Sequence, residues 1–141
     1  MKSWILCLAS ASLFLPSIVE AQNDDRIKLK FEVDCTSIAI MSVGYDNPRI
    51  RSIFSKNPFL IIDRNLTFKR WSDISWKTAE KVYESGLDEE DLDYITSEDY
   101  ESFMNPIQEE SMKRLLAELD RNGSFDRHYE QLETCVSILG K

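Results

Sequence analysis

Met1-Lys2-Ser3-Trp4-Ile5-Leu6-Cys7-Leu8-Ala9-Ser10-Ala11-Ser12-Leu13-Phe14-Leu15-Pro16-Ser17-Ile18-Val19-Glu20-Ala21 opens the chain and governs how the rest is read. Lys2 supplies a positive start. Residues 4–15 are apolar except for Ser10 and Ser12. Pro16 ends the run, and Val19-Glu20-Ala21 offers short residues of the kind a signal peptidase accepts. That layout is a secretory signal peptide. The apolar run falls short of the roughly 20 residues a helix needs to cross a bilayer. The alternative is a buried N-terminal helix of a cytosolic domain. No second long apolar stretch follows. The expectation is cleavage after Ala21 and one exported domain over 22–141, without membrane insertion.

The chain has 141 residues and a net charge of −8. Removing Lys2 with Glu20 leaves that balance unchanged. A surface this acidic repels phosphate backbones and anionic lipid heads, which makes nucleic acid and polybasic membrane attachment poor partners. Hydrophobic residues make up 43% of the chain, which places it with folded globules and not with acidic disordered tails.

Cys7 would leave with the leader. Cys35 and Cys135 remain, an even pair near opposite ends of the exported chain. In an oxidising compartment they read as one intramolecular disulfide joining the first and last structured elements. The alternative is a pair of interchain bonds in a dimer. A metal site built from these two and His128, the one histidine, lacks ligand spacing. Asn65-Leu66-Thr67 and Asn122-Gly123-Ser124 are N-glycosylation acceptors, which matter only for an exported chain. The two also share a short echo, Asp-Arg-Asn-x-Thr/Ser-Phe, at 63–68 and 120–125. Local turn and cap chemistry accounts for it as well as duplication does.

Residues 27–33, Ile-Lys-Leu-Lys-Phe-Glu-Val, alternate with a period of two, a strand signal. Asp34 then caps a helix carrying Cys35, Ile38, Met41 and Ser42 on one side. A short helix over 49–56 stops at Asn57-Pro58. Residues 59–62 are a brief apolar run without clear period. Ser72 or Asp73 caps a helix to Ser85, with Gly86 as a left-handed stop. Thr96-Ser97-Glu98-Asp99 reads as a capping box opening a short helix to Met104. Asn105-Pro106 reads as a fresh start, with Met112, Leu115, Leu116 and Leu119 as the buried stripe. Ser124 caps a last helix whose stripe is Phe125, Tyr129, Leu132, Val136 and Leu139, with Cys135 beside it. The fold expected is mainly α: several short helices, a possible short N-terminal strand, and closure by one disulfide.

From Asp88 to Asp99 the chain is dense in carboxylates. This stretch resembles an EF-hand. Asp88 and Glu90 stand at the first and third ligand positions, Ile95 at the apolar position, and Asp99 closes the loop. It departs from the pattern at Leu92, where an oxygen ligand belongs, at Asp93, where glycine permits the turn, and at Asp99, which is shorter than glutamate. A second partial match at 120–131 runs out at Phe125 and Gln131. The resemblance implies a degenerate calcium-binding module. The plainer reading is a solvated acidic loop leading into a helix N-terminus, where carboxylates meet the helix dipole favourably.

No arrangement for catalysis stands out. There is no Gly-x-Ser-x-Gly, Ser-x-x-Lys or His-x-x-x-His, and four glycines are few for phosphate-cradling loops. His128 is expected at the surface or half-buried. Phe68, Trp71 and Trp76 could line a ligand pocket, although aromatics at helical spacing usually build core. The function expected is binding: a secreted, N-glycosylated protein recognising another extracellular protein or receptor, with no enzyme activity and no cofactor. The alternatives are carriage of a small apolar ligand in the helical core and the EF-hand-like module.

Overall fold

The structure, a computed structural model, describes residues 2–43, 48–56, 65–122 and 128–139; for 2–22 and 119–122 it describes the backbone alone. Six helices form among the described residues: α1 (Lys2–Val43), α2 (Pro48–Ser55), α3 (Asn65–Ser85), α4 (Glu89–Leu92), α5 (Ser97–Asn122) and α6 (Tyr129–Leu139). The chain is mainly helical, and no strand occurs among those residues.

The expected strand over 27–33 is therefore corrected to helix. An alternating heptad holds the pairs Ile27/Phe31 and Leu29/Val33, each spaced i, i+4, so a period of two over so short a run also fits a helix face. Leu29 and Val33 are both buried, whereas Ile27 is exposed. Lys28 and Glu32 add an i, i+4 ion pair, Nζ to Oε1 3.9 Å.

The helix does not restart at Asp34. Every residue from Glu32 to Ala39 is buried, so this part of α1 is enclosed on all sides. It packs most extensively on α3, then on α5 and α6. Asp34 is not a cap. Its carboxylate accepts from Ser111 Oγ (2.6 Å) and from the Arg114 guanidinium (2.6 Å), and Ser111 Oγ also pairs with Ser37 Oγ at 3.0 Å. Thr36 and Ser42 return their hydroxyls to carbonyls of their own helix, Glu32 at 2.9 Å and Ala39 at 2.8 Å. Such satisfied polar groups can be buried at modest net cost.

Helices α3 and α5 are also longer than expected. Helix α2 covers Pro48–Ser55, one residue earlier than the expected 49–56, with Pro48 as its first residue, where its missing N–H costs nothing. Helix α3 starts at Asn65, well before Ser72, which places Thr67 in the core at its N-terminal end. Two i→i+3 bonds finish it, Gly86 N–H to Tyr83 O (3.2 Å) and Leu87 N–H to Glu84 O (3.1 Å). Gly86 stops the helix but does not take the left-handed conformation. The capping box at 96–99 forms as read: the Thr96 N–H donates to Asp99 Oδ2 at 2.8 Å, and the Asp99 N–H donates to Thr96 Oγ1 at 3.4 Å. The break at Asn105-Pro106 does not form, and α5 runs through Pro106. Proline removes one i→i−4 bond, at a cost of about 3 kcal/mol in a helix interior. The carbonyl freed is that of Ser102, which is exposed and can be hydrated, while fully buried Met104 and half-buried Ile107 hold the helix on either side of Pro106. Leu115 is buried as expected; Leu116 is 43% exposed, a correction to that stripe.

Three apolar clusters follow. Ile38, Met41, Ile50, Phe54, Leu115 and Leu132 join α1, α2, α5 and α6. Leu29, Val33, Ala79, Val82 and Met104 join α1, α3 and α5. Between them Cys35 and Cys135 form a disulfide, buried with Trp71 of α3. Phe31 meets the Trp71 ring edge-on at 5.9 Å, and the Trp71 indole N–H donates to the Cys135 carbonyl at 3.1 Å. In α6 Tyr129, Leu132 and Val136 are buried as the stripe predicts. Arg49 of α2 stacks over the Tyr129 ring at 4.3 Å. The expectations at 59–62, Ser124 and Phe125 lie outside the described residues.

The disulfide spans a separation of 100 residues. Chain-entropy models assign a loop of that length on the order of 4.7 kcal/mol, and measured values are typically about 2–4 kcal/mol. Replacing both cysteines by alanine is expected to lower unfolding stability by about 2–4 kcal/mol with helix content retained under native conditions. Urea unfolding followed by circular dichroism checks this; an unchanged midpoint would contradict it.

Candidate functional site

One cleft stands out among the described residues. It lies where α1, α3 and α5 meet, and its volume is about 380 Å³. The stripe Arg26, Leu29, Lys30, Val33, Asp34 of α1 lines one side, at spacings of three and four. Phe103, Ile107, Glu110, Ser111 and Arg114 of α5 line the other, with Val82 of α3 at the base. Helical periodicity thus puts an apolar floor between two charged edges. Arg26, Lys30 and Glu110 are exposed, while Arg114 is held by Asp34. Three cations face two carboxylates here, on a chain whose net charge is −8. The cleft is a local positive spot on an acidic protein, which favours an occupant with an apolar body and an anionic end.

None of the aromatic residues singled out from the sequence lines this cleft. Trp71 is sealed against the disulfide, and Trp76 packs half-buried on the Leu29 cluster. The cleft residues went unnoticed in the sequence because 27–33 read as a strand and Asn105-Pro106 as a boundary. The signal that could have found them is the pair of i, i+4 repeats Leu29/Val33 and Phe103/Ile107.

Glu32 is the outlying buried charge. It is 2% exposed, and its Oε2 has no hydrogen-bond partner. Loss of solvent pushes its carboxyl above the usual 4.5; a hydrogen bond from Thr78 and the charge of Lys28 oppose that rise, and Asp25 adds slightly to it. His128 is buried, not at the surface, with Nε2 3.7 Å from Glu118 Oε2. Lys56 pairs with Glu133 across the α2–α6 side, which holds the Glu133 carboxyl below its usual range.

The acidic stretch takes a different form from a calcium loop. Residues Glu89–Leu92 are a helical turn, and Asp99 is occupied by the Thr96 cap. No group of three or more His, Cys, Asp or Glu among the described residues is placed to share an ion. Tyr100 donates its hydroxyl to Glu84 Oε1 at 2.6 Å, and that bond, with lesser help from burial and nearby carboxylates, pushes its phenol up to about 12.

The two acceptor asparagines occupy unlike places. Asn65 is exposed and begins α3, whereas Asn122 ends α5. These matching residues of the sequence echo thus stand at opposite ends of their helices. Thr67, the third residue of the first acceptor, is fully buried, and its hydroxyl has no partner.

In comparisons with protein-family models, curated proteins and solved structures, nothing matches this chain.

Two substitutions test the buried polar groups. Above pH 4.5 an unfolded Glu32 has lost its proton while the folded one retains it, so stability falls as pH rises towards the raised folded value and is level beyond it. Glu32→Gln is expected to raise the unfolding midpoint at neutral pH, with the gain shrinking as pH falls to 4.5 and below. A pH series of urea titrations reads it, and a pH-independent difference would contradict the assignment. Thr67→Val removes the unpartnered hydroxyl and is expected to stabilise enzymatically deglycosylated protein by about 1 kcal/mol.

Proposed function

We propose that the chain is a secreted binding protein without catalytic activity, which recognises another extracellular protein or receptor through the α1–α3–α5 cleft. Residues 1–21 act as the leader and are removed. Cleavage after Ala21 crosses α1 but keeps Leu29, Val33, Cys35, Ile38 and Met41, its buried members of the apolar clusters among the described residues. Asn65 and Asn122 carry glycans. The disulfide suits an oxidising compartment, and no described helix is long and apolar enough to cross a membrane.

The observation that carries recognition is the shape of the cleft. It opens to solvent along its charged edges, and the helical core beside it is filled by fully buried Ile38, Met104 and Leu132. Such a groove takes an apolar group presented from outside, with an acidic neighbour meeting Arg26 and Lys30, as anchor pockets in protein interfaces do. A second reading, carriage of a small amphipathic acid, is favoured by the same floor and by a volume of about 380 Å³, within the range of small-ligand sites.

Binding of the secreted protein to intact cells of its source, with and without Arg26→Glu and Lys30→Glu, tests recognition. Both side chains are exposed, so folding should survive. The double reversal is expected to weaken binding about tenfold, equivalent to about 1.4 kcal/mol. Equal binding by both forms would exclude the cleft. A small acid retained in native mass spectra of the secreted protein, with no cell binding, would favour the carrier.

A further inference from the structure

We propose that Tyr94 is a sulfation site: its phenol oxygen receives a sulfuryl group from a nucleotide sulfate donor as the chain passes through the secretory pathway. The inference rests on the export reading above. Tyr94 is 81% exposed, the most exposed large apolar or aromatic side chain among the described residues. It sits in the turn between α4 and α5, its own N–H bonded to Asp91 O at 3.1 Å, so the side chain projects from a non-helical segment a transferase can grip.

Its surroundings supply the recognition. Glu89, Glu90, Asp91 and Asp93 precede it, Glu98 and Asp99 follow, and no lysine or arginine occurs between Lys81 and Lys113. An enzyme that binds an anionic nucleotide donor needs a cationic active site, and an acidic segment is steered into such a site. The reaction is redox-neutral. Tyr94 Oη attacks sulfur, the new oxygen–sulfur bond forms as the bond from sulfur to the donor's phosphate oxygen breaks, the phenolic proton passes to a base of the transferase, and the desulfated nucleotide leaves.

Tyr100 is the internal control. Glu98, Asp99 and Glu101 flank it, so local sequence alone would choose it equally. Yet it lies within α5, half-buried, with its ring against Tyr83 at 5.6 Å. Its hydroxyl is already committed to Glu84 at 2.6 Å. The fold thus presents one of two acidic-flanked phenols and withholds the other. Sulfation would give the α4–α5 turn a charge that persists at any physiological pH, together with sulfate oxygens that arginine can bind in bidentate fashion.

The full chain expressed in animal cells, collected from the medium and stripped of N-glycans, should show added mass of one SO3 group. That mass should vanish when the cells are grown in chlorate, which blocks donor synthesis, and in Tyr94→Phe, and should persist in Tyr100→Phe. Secreted protein without the addition, an addition that survives Tyr94→Phe, or one removed by phosphatase would each overturn the assignment while leaving export standing. Chain held unprocessed in the cytosol would overturn both.

Discussion

Trp71 lies over the Cys35–Cys135 bond and donates its indole N–H to the Cys135 carbonyl, and the rest of the molecule is arranged around that knot. Cys35 belongs to α1, Cys135 to α6 and Trp71 to α3, so three helices distant in sequence meet at one buried point. The bond restricts the unfolded chain by tying residues 100 apart in a chain of 141. The tryptophan fills the space beside it, and its bond to the Cys135 carbonyl satisfies a buried indole N–H that would otherwise be stranded.

That knot requires α1 to pass through the centre. A central helix has no solvent face, and over Glu32–Ala39 polar side chains are buried together with apolar ones. The Asp34–Ser111–Arg114 network shows how the chain accommodates this. The carboxylate faces α5, two donors meet it, and Ser37 closes the set. Breaking a buried charge pair is costly, whereas its net gain over a well-packed apolar pair is small. The network's plainer effect is to set the register of α1 against α5. That register opens the cleft, because it aligns Leu29 and Val33 with Phe103 and Ile107. Glu32 lacks a full partner set and stands as the weak point of the same helix.

How much of this was legible depended on burial. Where one face of a helix is solvated, residue types are informative: the α6 stripe and the Thr96–Asp99 box can both be placed from them. Over 27–33 a short alternating run fits a strand as well as a helix face, and over Glu32–Ala39, where burial is complete, periodicity disappears and the helix reads as restarting at Asp34. Proline misled in a different way. Pro106 reads locally as a boundary, but tertiary anchoring through Met104 and Ile107 outweighs the lost bond. The disulfide is legible from an even count in an expected oxidising compartment; the cleft is not, since it depends on the continuity of two helices that read locally as broken. Exposure of Tyr94 and engagement of Tyr100 are differences in the fold that similar flanking residues conceal.

The proposed compartment and the proposed extracellular partner both depend on those two sulfurs being joined outside the cytosol. The most direct measurement is alkylation of the native protein recovered from its source, followed by peptide mass mapping with and without reduction. A chain beginning at Gln22, with Cys35 and Cys135 unalkylated and their peptides linked until reduced, is the expected result. An unprocessed cytosolic chain with both thiols alkylated in the native state would contradict it.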